Sequence, residues 1–235
     1  MSTINRKILD EKLKLERKVK KPLSSLFSGI EADVKKAIFR NGHIITGYEY
    51  ADQIKDIISN HTINVQNVFK KIEKVNLLPD TTQMVTNISL RDVARKTVDD
   101  LTSIISDTTN RQIRQIYSIA GIKDVSEAER QLLIDHSIRA KFGPRPETIA
   151  TSVTQTVAEN TRLEVRKNDS HYKEWVSISD EKTREAHISA NGQTVGIDEN
   201  FIVGGEVLRF PGDMTQGASL ANTINCRCTV IYTLQ

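Results

Sequence analysis

Aromatic side chains are scarce in this chain: six Phe, five Tyr and one Trp make up 5% of 235 residues. That is lean for a protein that stacks nucleic-acid bases or for an aromatic enzyme pocket, and it suits helices with aliphatic seams. No apolar run approaches the roughly 20 residues needed to span a bilayer. The basic N-terminus is not followed by an apolar stretch, which excludes a secretory signal. The expectation is a soluble protein, made and assembled in the cytoplasm, with no membrane partner. P-loop, G-x-S-x-G and H-E-x-x-H patterns are absent, and the carboxylates do not cluster in a metal-nuclease arrangement. Cysteine is rarer still: the two cysteines, Cys226 and Cys228, stand one residue apart near the C-terminus.

What the chain does have is charge, unevenly placed. Residues 1–145 carry 25 Lys+Arg against 18 Asp+Glu, a net of +7, whereas residues 146–235 carry 8 against 12, a net of −4. Residues 1–21 alone hold eight basic and three acidic side chains. The basic ones are Arg6, Lys7, Lys12, Lys14, Arg17, Lys18, Lys20 and Lys21, candidates for contact with a polyanion such as double-stranded DNA. The alternative is a solvated helix face with i,i+4 pairs such as Glu16 with Lys20.

Helical periodicity organises the first 143 residues. Residues 1–21 read as a charged helix with a sparse apolar stripe (Ile8, Leu13, Leu15, Val19). That stripe is too sparse to bury much alone and is ordered by a partner; Pro22 stops or kinks the helix. Residues 24–46 give a short helical pattern through Val34, Ala37 and Ile38, with Asn41-Gly42 as a turn. Residues 49–76 repeat Ile54, Ile57/Ile58, Val65, Val68/Phe69, Ile72 and Val75 at helical steps, with His61 near the stripe and Pro79-Asp80 after it. Residues 89–120 form the strongest seam, from a capping arrangement at Ser89-Leu90-Arg91-Asp92 through Leu101 and Ile105 to a stop at Gly121. These two segments suggest a bundle or a helical hairpin. A capping box at Ser126–Glu129 starts a further helix containing His136.

Gly143-Pro144-Arg145-Pro146 is the best break in the chain and coincides with the change of charge sign. After it come one more helix, about 147–167, and then strand-like runs at Tyr172–Ile178, Phe201–Val203, Val207-Leu208 and Cys228–Leu234. Turns at Asn191-Gly192, Gly204-Gly205 and Pro211-Gly212 separate them. The fold class is therefore α+β: a basic arm at 1–22, a helical region at 23–143 and a small α+β domain at 147–235.

Four clusters mark the C-terminal unit: Trp175 with Asp180; Thr183-Arg184 with His187; Phe210-Pro211-Gly212-Asp213; and Asn225-Cys226-Arg227-Cys228. In order and spacing, with Gly192 between the second and third, they resemble the phage Mu F-like minor head protein family, over residues 147–235. A departure lies in the preceding helix, where an Ile-Ala-Arg-Thr-Glu-Thr-like run is replaced by Ile149-Ala150-Thr151-Ser152-Val153-Thr154. The resemblance implies a virion component, assembled in the host cytoplasm and placed at the portal vertex or capsid interior. It would take part in head assembly and DNA packaging or ejection. Its partners would be the portal protein, the major capsid or scaffold protein and packaged DNA, with the N-terminal helices as the docking segment.

The chemistry of the cluster admits several readings. A disulfide between Cys226 and Cys228 would be strained, since extended Cα atoms two apart lie about 6.6 Å from each other. The thiols could pack as small buried side chains. They could join His187, with Asp180 or Asp213, around zinc, the one cofactor considered. They could also react under the influence of Arg227. Arg184 and His187, three apart, could serve with Thr183 and Arg227 as a nuclease or transferase site. Otherwise Arg184 pairs with Asp180 or Asp213 and His187 donates to a buried carbonyl. Asn225 closes a turn and Trp175 belongs to the core. The favoured expectation is a non-enzymatic head protein whose Trp175–His187–Cys226/Cys228 group stabilises the fold. A nonspecific DNA-binding virion protein is the third reading.

Overall fold

A computed structural model describes residues 3–40, 43–74 and 87–233. The first helix, α1 (Thr3–Phe39), continues through Pro22, so proline neither ends the helix nor separates an arm from the rest. An interior proline costs about 3 kcal/mol. Leu23, Leu26 and Phe27 directly after it are buried, and each such side chain contributes about 1.5–3 kcal/mol, enough to offset that cost. The N-terminal part of α1 needs no outside partner to be covered. Ile8, Leu15, Val19 and Leu23 are buried, while Leu13, expected in the stripe, faces solvent. The missing member of the stripe is Lys12, which is buried.

A 3-10 turn at Gly47–Tyr50 leads into α2 (Ala51–Lys74), and α3 (Asn87–Ala120) returns antiparallel to it. Lys55 pairs with Asp99, and Gln66 Nε2 donates to the Leu90 carbonyl, which fixes the hairpin's register. Helix α3 starts before the expected cap, so Ser89 lies inside it. Its end is as expected, with the Gly121 amide bonded to the Tyr117 carbonyl. The turns expected at Asn41-Gly42 and Pro79-Asp80 fall outside the described residues. Helix α4 (Glu127–Phe142) begins at Ser126, whose hydroxyl accepts from the Glu129 amide while the Glu129 carboxylate accepts from the Ser126 amide. That reciprocal bonding satisfies two otherwise orphan donors.

Only Gly143 and Pro144 separate α4 from α5 (Arg145–Arg166). Helix α5 is the hub of the molecule. Ile149, Ala150, Val153, Val157 and Ala158 belong to the large aliphatic core formed with α1–α4. Leu163, further along the helix, belongs to a second core with Trp175, Phe201, Val203, Leu208, Phe210, Cys226, Cys228 and Val230. That second core is framed by an antiparallel sheet in the order β2-β1-β5 (β1 Tyr172–Val176, β2 Thr194–Gly196, β5 Thr229–Thr233) and a hairpin of β3 (Phe201–Val203) and β4 (Glu206–Leu208). Two short helices, α6 (Glu185–Ser189) and α7 (Leu220–Thr223), fill the connections. The α+β architecture matches the sequence expectation. No described helix is long and apolar enough to cross a membrane.

Candidate functional site

Trp175 sits on β1, fully buried, with the His187 ring edge-on at 5.4 Å and Phe201 edge-on at 5.4 Å. His187 is carried by α6, a single helical turn. Its Nε2 lies 3.0 Å from the backbone carbonyl of Asn222 and 2.7 Å from Asn222 Oδ1. The Asn222 amide nitrogen donates to the Val203 carbonyl, which turns Oδ1 toward the imidazole. Both atoms facing Nε2 are acceptors, so Nε2 carries a proton and the second ring nitrogen, Nδ1, faces inward.

What Nδ1 faces is the Cys-Arg-Cys segment. Cys228 Sγ is 3.5 Å away and Cys226 Sγ 3.7 Å away. Both thiols are free and buried, on one side of the chain just before β5, with Arg227 turned outward between them. Asn225 adopts φ +53°, the turn expected of it, and its amide donates to Ser152 on α5. The hydrogen bond from the Cys226 thiol, and after it His187, lower the Cys228 pKa against the opposing effect of burial. Cys226 is pushed well up as the partner that keeps its proton. Burial works against the charged form of His187, but its bonds to Cys228 and Asn222 outweigh that and raise its pKa.

The remaining motif residues hold this cluster in place. Asp180 takes Arg227 in a two-pronged pair, both contacts at 2.7 Å. It also accepts from the Thr183 hydroxyl and the Lys182 amide. The arginine and these donors hold its carboxyl well below the usual carboxylate range. Arg184 bonds the Ile224 carbonyl at 2.6 Å and pairs with neither Asp180 nor Asp213, contrary to expectation, because both acids are taken by other arginines. Asp213, fully buried, accepts from Arg209 and from the Thr215 amide and hydroxyl. Neither acid therefore joins the cysteine–histidine cluster. Gly192 and Gly212 hold φ of +80° and +77°, where a side chain is strained. A Cβ on Gly212 would also lie 2.6 Å from Gln155 Cγ.

Sequence reading missed the α5 side chains that clamp the motif. Gln155 Nε2 donates to both the Pro211 and Cys228 carbonyls, and the Thr156 hydroxyl to the Gly212 carbonyl. One face further on lies a buried ionic network. Lys12 pairs with Glu159, Glu159 with Arg162, Arg162 with Glu73, Glu73 with Arg166, and Arg166 with Asp169. Among the described residues, three cations meet three anions in this network. Thr229 bonds Glu159, and Arg162 bonds Thr229 and the Val230 carbonyl, which ties α1, α2 and α5 to β5. The available signal was a charged residue at an apolar register position: Lys12 in the row 8, 12, 15, 19, and 155, 159, 162, 166 along α5. Glu159 and Arg162 also supply an acid and an arginine on the helix whose expected Arg and Glu are absent upstream.

Of the basic candidates, Lys12 is buried and paired, which removes it from any surface. Arg6, Lys7, Lys14, Arg17, Lys18, Lys20 and Lys21 are exposed, with Lys14 paired to Glu11 and Lys20 to Glu147. His61 is buried. Its Nε2 lies 2.7 Å from the Thr154 hydroxyl, and burial pushes its pKa down to about 4. His136 is exposed.

A family model described as Phage Mu protein F like protein matches residues 50–231. The chain belongs to that family. It is a phage Mu F-like head morphogenesis protein, and as a head protein it is a virion component that acts with other head components. The match begins at Tyr50, the last residue of the 3-10 turn before α2, so the hairpin, α4 and α5 fall inside it and α1 lies upstream; the resemblance read from residues 147–235 was narrower than the relationship. No curated protein and no solved structure matches the chain.

Proposed function

We propose that this Mu F-like protein is a minor head component that sits at the portal vertex or capsid interior and assists head assembly and DNA packaging or ejection. Its role is structural rather than enzymatic. The family match over residues 50–231 carries the reading. The geometry supports it: Arg184 and His187, on which a nuclease or transferase would depend, are engaged with the Ile224 carbonyl and with Asn222, and the motif residues serve one another as structural clamps. Helix α1 presents its solvent-facing basic row outside the matched segment, as a docking face for the portal, capsid or scaffold protein or for packaged DNA.

The test is quantitative mass spectrometry of purified heads from phage carrying the native chain and from phage in which Arg17, Lys18 and Lys21 are replaced by Glu. The native chain is expected at few copies per head beside the portal protein, with the charge-reversed chain folded but depleted from heads. A native chain absent from purified heads would overturn the proposal. Binding of the isolated chain to double-stranded DNA that weakens steeply with salt would identify DNA as the partner of this face.

A further inference from the structure

We propose that His187, Cys226 and Cys228 form a zinc site with three protein ligands and one position open to water. The three donors come from two segments and converge within 4.8 Å of one another, all buried. In a tetrahedral site with Zn–S of about 2.3 Å and Zn–N of about 2.0–2.1 Å, the S···N edge is about 3.6 Å. The observed separations are 3.5 and 3.7 Å, so both sulfurs stand at the metal-site edge length from the same nitrogen. Whichever partner holds the proton, Nδ1 makes one linear hydrogen bond, which engages one of the two sulfurs. A shared cation explains both.

The surroundings fit the same role. Metal-ligating histidines hold their other ring N–H against a fixed acceptor, which sets the tautomer and aims the ring. Asn222 does this twice over for Nε2 and is itself fixed by Val203. Asp180 and Arg227 lock the loop before α6 to the residue between the cysteines, so ligands distant in sequence are held in register. Beside the cluster, a cleft lined by Ile178, Thr183, Arg184 and Asn225 has about 10 Å³ of water-accessible volume, room for about one water. Asp180 and Asp213 are committed to Arg227 and Arg209, so the fourth ligand is that water. Two thiolates and an imidazole favour zinc over the hard, oxygen-seeking cations.

The experiment is a titration of the full-length, reduced, metal-stripped chain with cobalt(II), followed by zinc(II). The expected result is one cobalt per chain with thiolate-to-cobalt charge-transfer bands and the intense visible bands of tetrahedral cobalt, all displaced by one equivalent of zinc. Zinc should then protect both thiols from a thiol reagent. The Cys226→Ser and His187→Ala variants, with folding checked by circular dichroism, should lose stoichiometric binding. No charge-transfer band in the native chain, thiol reactivity indifferent to zinc, or unchanged zinc binding in a folded variant would each overturn the proposal.

Discussion

Around α2 and α3, buried apolar residues recur at three-, four- or seven-residue steps: Ile54, Ile58, Val65 and Phe69 on one helix, Val98, Leu101 and Ile105 on the other. In the C-terminal unit the residues that fix the turns are polar and distant in sequence. Gln155 reaches Pro211 and Cys228, Asp180 reaches Arg227, and Asn222 reaches His187 and Val203. The first region is specified by a local period that adds up area. The second has strands of three to five residues, too short for area alone to fix, so hydrogen bonds between named partners set its geometry. Helix α5 belongs to both, with apolar residues toward the bundle and Gln155, Glu159 and Arg162 toward the sheet and its neighbours.

The most damaging change to the connection between the regions should be Arg162→Ala, which leaves Glu73 and Glu159 buried without their shared cation. Breaking a buried pair from one side costs about 3–5 kcal/mol, to be read from the denaturation midpoint. Leu23→Ala, fully inside the helical core, should cost about 2–5 kcal/mol by the same measurement. It tests whether the residues that follow Pro22 hold that part of α1.

His61 gives the comparison a pH axis. Its folded pKa is about 4 against an ordinary 6.5, so the native state keeps it neutral while the unfolded chain takes up a proton below 6.5. The stability is complete above pH 6.5 and is lost as pH falls toward 4, up to about 3 kcal/mol. Stability curves of the native chain and of His61→Asn should therefore converge in acid. In the C-terminal unit, Gly212→Ala forces both a left-handed residue and a close contact with Gln155, for about 1–3 kcal/mol. At the small end, Lys18→Ala on the exposed face should change stability by less than about 0.5 kcal/mol, leaving any loss in head incorporation attributable to docking.

The helices were legible because each carries its period in its own residues, and Ser126–Glu129 announces a helix start without help from the rest of the chain. The motif was legible as a set of residue types in order, and the structure gathers Trp175, His187, Cys226 and Cys228 into one core. What the sequence did not disclose was pairing. Nothing local to Lys12 says that its partner is Glu159, or that Arg227 rather than Arg184 takes Asp180. Such choices depend on which segments lie side by side, and the energy that makes them comes from burying charges that would otherwise be solvated. Pro22 misled for a similar reason: its local penalty is real, but packing on either side of it decides.

The account's central claim is that α5 and its buried ionic network make the helical bundle and the C-terminal unit one cooperative body. The most direct test is equilibrium unfolding of the native chain in urea, followed at once by far-ultraviolet circular dichroism, which reports the helices, and by fluorescence of Trp175, the single tryptophan, buried in the C-terminal core. The account predicts a single transition with coincident midpoints by both probes. A Trp175 transition completed at lower urea while the helical signal persists would contradict it.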